Sequence, residues 1–172
     1  MPRVTVRIIG ERTTLRPCVV PDDVEMLLRW HADPDVIRYW DDRTFTREQM
    51  VARLLRANVD AFIIELEAEP VGYIQAWEDE RGNCGGVDMF LTPGHRGEGI
   101  GPDAGRALAS HLQQQRRWSY VTADPYLWNE RALRAWRKAG FVPVEERPPD
   151  DRHLSSWVLM EFRDDAVAAE TA

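Results

Sequence analysis

The stretch His95-Arg96-Gly97-Glu98-Gly99-Ile100-Gly101-Pro102 constrains the fold more than any other part of the chain. It lies between an apolar run, Gly86–Leu91 closed by Thr92-Pro93, and a helical pattern in which Ala104, Leu108 and Leu112 recur every four residues. A helix opening there exposes amides that have no intrahelical acceptor, and its dipole places about half a positive charge at that end. The glycines let the main chain approach a bulky anion and adopt positive φ. Pro102 falls in the first turn, where a missing N–H costs nothing. The segment is therefore predicted to cradle a phosphate or diphosphate. A P-loop is excluded, because it requires Gly-Lys-Ser/Thr and no lysine is present here. A dinucleotide fold is excluded by the spacing of Gly97, Gly99 and Gly101, which does not read GxGxxG.

The remaining pattern predicts one mixed sheet with helices on both faces, since strands and helices do not alternate strictly. Strands are expected at Val4–Ile9 with a continuation at Thr14–Arg16, then Ala61–Leu66, Val71–Trp77, Gly86–Leu91, Tyr120–Ala123, Phe141–Glu145 and Ser155–Phe162. Helices are expected from Pro21 to about Trp30, after the capping box Thr46-Arg47-Glu48-Gln49, from Pro102 to about Gln115, and from the Asn129 cap to Gly140. Residues 1–163 read as a single domain and 164–172 as a frayed tail.

Arg96-Gly97-Glu98-Gly99-Ile100-Gly101 resembles Arg/Gln-x-x-Gly-x-Gly/Ala, the acetyl-CoA pyrophosphate loop of the GNAT N-acetyltransferases. A second stretch, Asn129-Glu130-Arg131-Ala132-Leu133-Arg134-Ala135-Trp136-Arg137-Lys138-Ala139-Gly140-Phe141, is similar to that family's Asn-x-x-Ala-x-x-x-Tyr-x-Lys-x-Gly-Phe. The two signatures stand in order, one helix and one strand apart, and the resemblance runs from roughly Asp60 to Phe162. It implies a GNAT fold: a twisted mixed sheet of about seven strands, splayed between the fourth, Gly86–Leu91, and the fifth, Tyr120–Ala123. It implies acetyl-CoA as cosubstrate, with no metal. Arg96, Gly97, Glu98, Gly99, Ile100 and Gly101 would grip the diphosphate. Phe90, Leu91 and Thr92 would pair with the pantetheine arm through the strand edge, and Asn129, Ala132 and Trp136 would complete the cofactor wall. The amide near Leu91 would stabilise the developing oxyanion. Trp136 stands where many members have Tyr, and indole has no labile proton to give a leaving thiolate. Tyr126, or no group at all, is left for that role.

Attack on a thioester requires a neutral amine, so an ammonium must first lose a proton to a base. Asp88 is the leading candidate, an acid in the middle of an apolar strand beside the expected cleft; the alternative is a carboxylate that pairs structurally with an arginine. Asp124, before Pro125, either faces Asp88 across the splay or serves only the turn. Gly86–Leu91, Thr122–Pro125 and Trp40-Asp41-Asp42 are similar to segments of aminoglycoside 6'-N-acetyltransferases. That resemblance implies a drug site lined by Trp40, Asp41, Asp88, Asp124 and Tyr126, an amino-sugar 6'-amine as acceptor, and antibiotic resistance as the consequence. Trp40 reads equally as core, with Val36 and Ile37 at helical spacing.

A net charge of −7 argues against nucleic-acid binding and suits a cationic acceptor, although solubility alone accounts for it. No run of eighteen apolar residues exists, and the N-terminus lacks a signal-peptide core, so a cytoplasmic protein is expected. Cys18 and Cys84 are expected as free thiols, and the scattered His31, His95, His111 and His153 do not form a zinc pattern. The sequence leaves monomer or dimer open. It also leaves two rivals: a GNAT enzyme for another amine (a peptide N-terminus, a lysine or a siderophore hydroxylamine), and a GNAT-like protein that binds CoA or drug without turnover.

Overall fold

In strands, successive side chains point to opposite faces, and here that alternation builds two cores, one on each side of a single sheet. In the computed structural model, which describes residues 6–40 and 43–164, the N-terminal hairpin consists of β1 (Ile8–Ile9) and β2 (Thr13–Pro17). Three short helices follow: α1 (Val24–His31), α2 (Pro34–Tyr39) and α3 (Arg47–Leu54). Then come β3 (Val59–Leu66), β4 (Glu69–Glu78) and β5 (Gly85–Leu91), a 3-10 turn at Pro93–His95, and the long helix α4 (Ile100–Gln114). Strand β6 (Val121–Ala123), helix α5 (Glu130–Ala139), β7 (Phe141–Arg147) and β8 (Trp157–Phe162) complete the chain.

The sheet has eight strands in the order β1-β2-β3-β4-β5-β6-β8-β7. The expected count of about seven is corrected because β1 and β2 are separate antiparallel strands, with Ile8 opposite Leu15. One face packs Phe62, Ile64, Ile74 and Val87 against Leu108 of α4 and Trp136 of α5. The other packs Ile63, Tyr73 and Phe90 against Val24, Leu27, Val36 and Met50 of α1–α3. Helices thus cover both faces, as expected.

Local chemistry sets the helix ends. Thr46 Oγ1 accepts from the Gln49 amide at 3.2 Å and Gln49 Oε1 from the Thr46 amide at 2.9 Å, the expected capping box. Gly140 takes φ 106° after α5. Helix α1 starts at Val24 rather than Pro21; at its N-cap the Asp23 carboxylate makes no capping bond and instead accepts from the two terminal nitrogens of Arg16 and from the Val19 amide. Among the described residues, no helix is long and apolar enough to cross a membrane.

The consequence for function is at β5 and β6. These strands run parallel and pair only at Gly85–Val121 and Gly86–Thr122. β6 then stops at Ala123 while β5 continues to Leu91, so the sheet opens.

Candidate active site

Two cavities flank the opening. A smaller one, about 270 Å³, is lined by Arg96, Gly97, Gly99, Gly101 and Pro102 on one side and by Asn129, Arg131, Arg134 and Lys138 on the other. A larger one, about 820 Å³, is lined by Trp40, Asp88, Asp124, Tyr126 and His153, among others. Tyr39, Met89, Asn129, Ala132 and Trp136 line both, so the cavities meet beside the splayed strands.

The smaller cavity has the properties of an anion cradle. Gly99 is the N-cap of α4 with φ 79° and no side-chain cap, and the first intrahelical bond runs from Asp103 N to Gly99 O. The amides of Ile100 and Gly101 therefore have no intrahelical acceptor. Gly97 has φ 82°, and a Cβ there would meet nothing within 4 Å, so the loop leaves open space beside its main chain. The Ile100 side chain is fully buried in the core and fixes the helix start from behind. Glu98 points to solvent, and its carbonyl accepts from Arg12 of the β1–β2 hairpin. That hairpin is clamped to α4 by Asp103, which accepts from the amides of Glu11, Arg12 and Thr13 and from Thr13 Oγ1. Burial of the Asp103 carboxylate works against its charge, but these hydrogen bonds outweigh it and hold its pKa below the usual range. A diphosphate matches this set of open amides and neighbouring cations.

On β5 the ladder decides which backbone groups face the opening. Thr92 N donates to Val71 O at 3.0 Å, and the Thr92 hydroxyl shares that acceptor, so Thr92 turns toward β4. Gly85 O faces β6, where it accepts from Thr122 Oγ1. By alternation the main-chain groups of Met89 and Leu91 face the opening, and those of Phe90 face β4. The expected edge of Phe90, Leu91 and Thr92 is thus corrected to Met89 and Leu91, although Phe90 still borders the smaller cavity. Arg96 Nε donates to Leu91 O at 3.2 Å, tying the loop to the strand. Trp136 is buried, packs edge-on against Phe141, and stands 3.0 Å from where a Cβ on Gly105 would lie. Asn129 spends its side chain on the helix cap, accepting from Ala132 N at 3.1 Å.

In the larger cavity the buried Tyr73 hydroxyl donates to Gln75 Oε1 at 2.8 Å, which turns the Gln75 amide nitrogen to donate to Asp88 Oδ2 at 3.0 Å. Asp88 is half-buried and oriented by this relay. Asp124 does not stand as an isolated carboxylate: His153 Nε2 lies 2.7 Å from its Oδ2. Tyr126 is buried and its hydroxyl accepts from Leu154 N at 3.2 Å. Trp40 satisfies both of its readings. It lines the cavity, and it packs edge-on against Tyr73 and Phe90 with the Arg53 guanidinium 4.8 Å above its ring. Asp41 lies outside the described residues, as do residues 1–5 and 165–172 of the expected first strand and tail. His31, enclosed by Trp40, Phe45 and Phe90, is pushed down to about 4 by burial and by Arg53, and is neutral. Four arginines, Arg43, Arg53, Arg56 and Arg152, also line the cavity, so its polarity is mixed rather than purely acidic.

The model of the family described as acetyltransferase (GNAT) domain matches residues 12–142. The chain belongs to the GNAT acetyltransferases. It is similar to an aminoglycoside N(6')-acetyltransferase type 1 of Klebsiella pneumoniae, 28% identical over 151 residues that cover 77% of this chain and 75% of that one. Among solved structures it is similar in fold to AAC(6')-Ib in complex with paromomycin and acetyl-CoA, with a TM-score of 0.79, 23% identity, and coverage of 94% of this chain and 99% of that one. A ribosomal L7/L12 alpha-N-protein acetyltransferase in complex with CoA shares the fold at a TM-score of 0.78 and 13% identity, covering 94% of this chain and 99% of that one. This GNAT fold therefore serves acceptors as different as a drug and a protein terminus, and the acceptor must be argued from side chains.

Proposed function

We propose that this acetyltransferase moves the acetyl group of acetyl-CoA to the 6'-amine of an aminoglycoside by direct attack. The observation that carries the reading is the meeting of two unlike cavities at Met89 and Trp136, one an anion cradle and the other holding an oriented carboxylate, Asp88. The loop from Arg96 to Gly101 holds the diphosphate, with Arg131, Arg134 and Lys138 on the facing helix. The open edge of Met89 and Leu91 takes the pantetheine arm. Asp88 accepts the ammonium proton, directly or through water; the amine nitrogen bonds to the acyl carbon; and the C–S bond breaks to release thiolate. The Leu91 amide stabilises the oxyanion in passing. Trp136 supplies packing and no proton. The Tyr126 hydroxyl, on the wall of the larger cavity, fits as a proton donor to sulfur. Trp40 and Asp124, with Asp41, bind the cationic sugar rings. The similarity to an aminoglycoside N(6')-acetyltransferase supports that acceptor.

The arginines favour a second reading, an amine that also bears an acidic group, such as a peptide N-terminus followed by carboxylates. Thiol release from acetyl-CoA separates the two, measured with kanamycin and tobramycin against a panel of peptides. Turnover of the drugs supports the first reading. Bound CoA with turnover only of acidic peptides establishes the second, and bound CoA with no turnover of any amine points to a binding protein.

A further inference from the structure

His153 belongs to neither signature, and yet both of its ring nitrogens are held by carboxylates at the wall of the larger cavity. It lies in the segment 148–156 between β7 and β8, and it is buried. Its Nε2 is 2.7 Å from Asp124 Oδ2, and its Nδ1 is 2.8 Å from Asp150 Oδ1. The ring stacks on Trp157, with centroids 4.1 Å apart, and stands edge-on to Tyr126 at 6.1 Å. A neutral imidazole has one N–H and one lone pair, so in either tautomer it would aim a lone pair at a carboxylate. Only the imidazolium donates to both. Burial disfavours that charge, but the hydrogen bonds and charges of Asp124 and Asp150 outweigh it, and the pKa lies above the usual imidazole value.

Other charges lie nearby. Asp151 and Arg152 share the segment, with Arg152 over the Trp77 ring of β4. Arg147 of β7 lies over Trp157 of β8, and Asp88 of β5 lines the same cavity. Among the described residues, no three His, Cys, Asp or Glu side chains are placed to hold a metal ion.

We propose that His153 is a positioning residue for the acceptor: as an imidazolium it fixes Asp124 and pins the segment Asp151–Leu154, one wall of the larger cavity, so that acceptor binding weakens when the ring loses its charge. The inference rests on reading that cavity as the acceptor site. Loss of the positive ring also removes repulsion toward a cationic acceptor. Across a water-filled cleft that repulsion is small beside two charge-assisted hydrogen bonds, so the positioning effect wins.

Two measurements on the intact protein test this. The first is the protonation of the His153 ring nitrogens by long-range nitrogen–proton NMR, which needs no acceptor. Both nitrogens are expected to carry protons at neutral pH, with loss of the imidazolium signature in Asp124→Asn. A bare ring nitrogen at neutral pH in the wild type overturns the proposal. The second is the kinetics of His153→Gln with kanamycin. Its KM for kanamycin should rise about tenfold or more while KM for acetyl-CoA stays level. In the wild type, KM for kanamycin should climb as pH passes the His153 pKa, over and above the profile of the variant, which subtracts titration of the drug's own amines. An unchanged or lower KM for kanamycin in the variant, or an equal rise for both substrates, overturns the proposal. If the wild type does not acetylate kanamycin, the aminoglycoside reading falls; the same KM comparison is then made with the amine that the wild type does acetylate, and the NMR measurement still tests the imidazolium.

Discussion

Replacing Asp103 with Ala should unlatch the N-terminal hairpin from the start of α4. The carboxylate accepts at 2.9 Å from Glu11 N, 3.1 Å from Arg12 N, 2.9 Å from Thr13 N and 2.7 Å from Thr13 Oγ1. Glu11 and Arg12 are exposed, so water replaces the carboxylate at those amides. Thr13 is only 2% exposed, and its amide and hydroxyl would lose their acceptor inside the protein. At about 1–3 kcal/mol for each of these two buried donors left unsatisfied, the cost is about 2–6 kcal/mol. That is a large share of the roughly 5–15 kcal/mol that holds a domain together. Urea unfolding followed by tryptophan fluorescence reads the difference. The carboxylate's folded pKa is depressed, so its contribution is present above the unfolded value of 3.8 and is lost as pH falls through the lower folded value. The gap between wild type and variant should therefore narrow in acid. A cost under about 0.5 kcal/mol, or a gap independent of pH, would refute the latch.

Asp88→Asn keeps a carbonyl to accept from Gln75 and should leave acetyl-CoA affinity unchanged, while single-turnover kinetics show acyl transfer slowed by about a hundredfold to ten-thousandfold. Asp23→Ala breaks a bidentate pair with Arg16 whose side chains are 10% and 20% exposed, and should cost about 3 kcal/mol in denaturant titration with no change in CoA affinity. His31 has a depressed pKa, so its contribution is complete above the unfolded value of 6.5 and is lost as pH falls toward about 4. A pH series of unfolding should show a loss of roughly 3 kcal/mol over that window that is absent in His31→Phe.

The legible parts of this protein were those with short-range chemistry. Glycines at positions 97 and 99 marked the cradle because the loop takes positive φ at both, and Thr46 with Gln49 marked a helix start because the capping box closes within four residues. Gly140 marked a helix end for the same reason. Long-range pairing was less legible. The insertion of β8 between β6 and β7 leaves no trace in local pattern, nor does the register that turns Thr92 toward Val71 and leaves Met89 and Leu91 at the opening. Gln75 reads as one polar residue in an apolar strand, and its relay from Tyr73 to Asp88 exists only once β4 and β5 are paired. His153 sits in a polar segment without periodicity, 29 residues from Asp124. The sole hint was a histidine two residues after Asp151 and three after Asp150, a spacing shared by many surface turns. The arginines of the larger cavity were present in the composition, but net charge hid where they gather.

The central claim is that main-chain amides between Arg96 and Gly101 grip the diphosphate of CoA. Calorimetric titration with CoA and with pantetheine, which lacks the diphosphate, tests it most directly. The account predicts saturable CoA binding with pantetheine weaker by about a hundredfold or more, the loss of at least two charge-assisted hydrogen bonds. Equal affinity for the two compounds, or no heat from CoA at all, would contradict it.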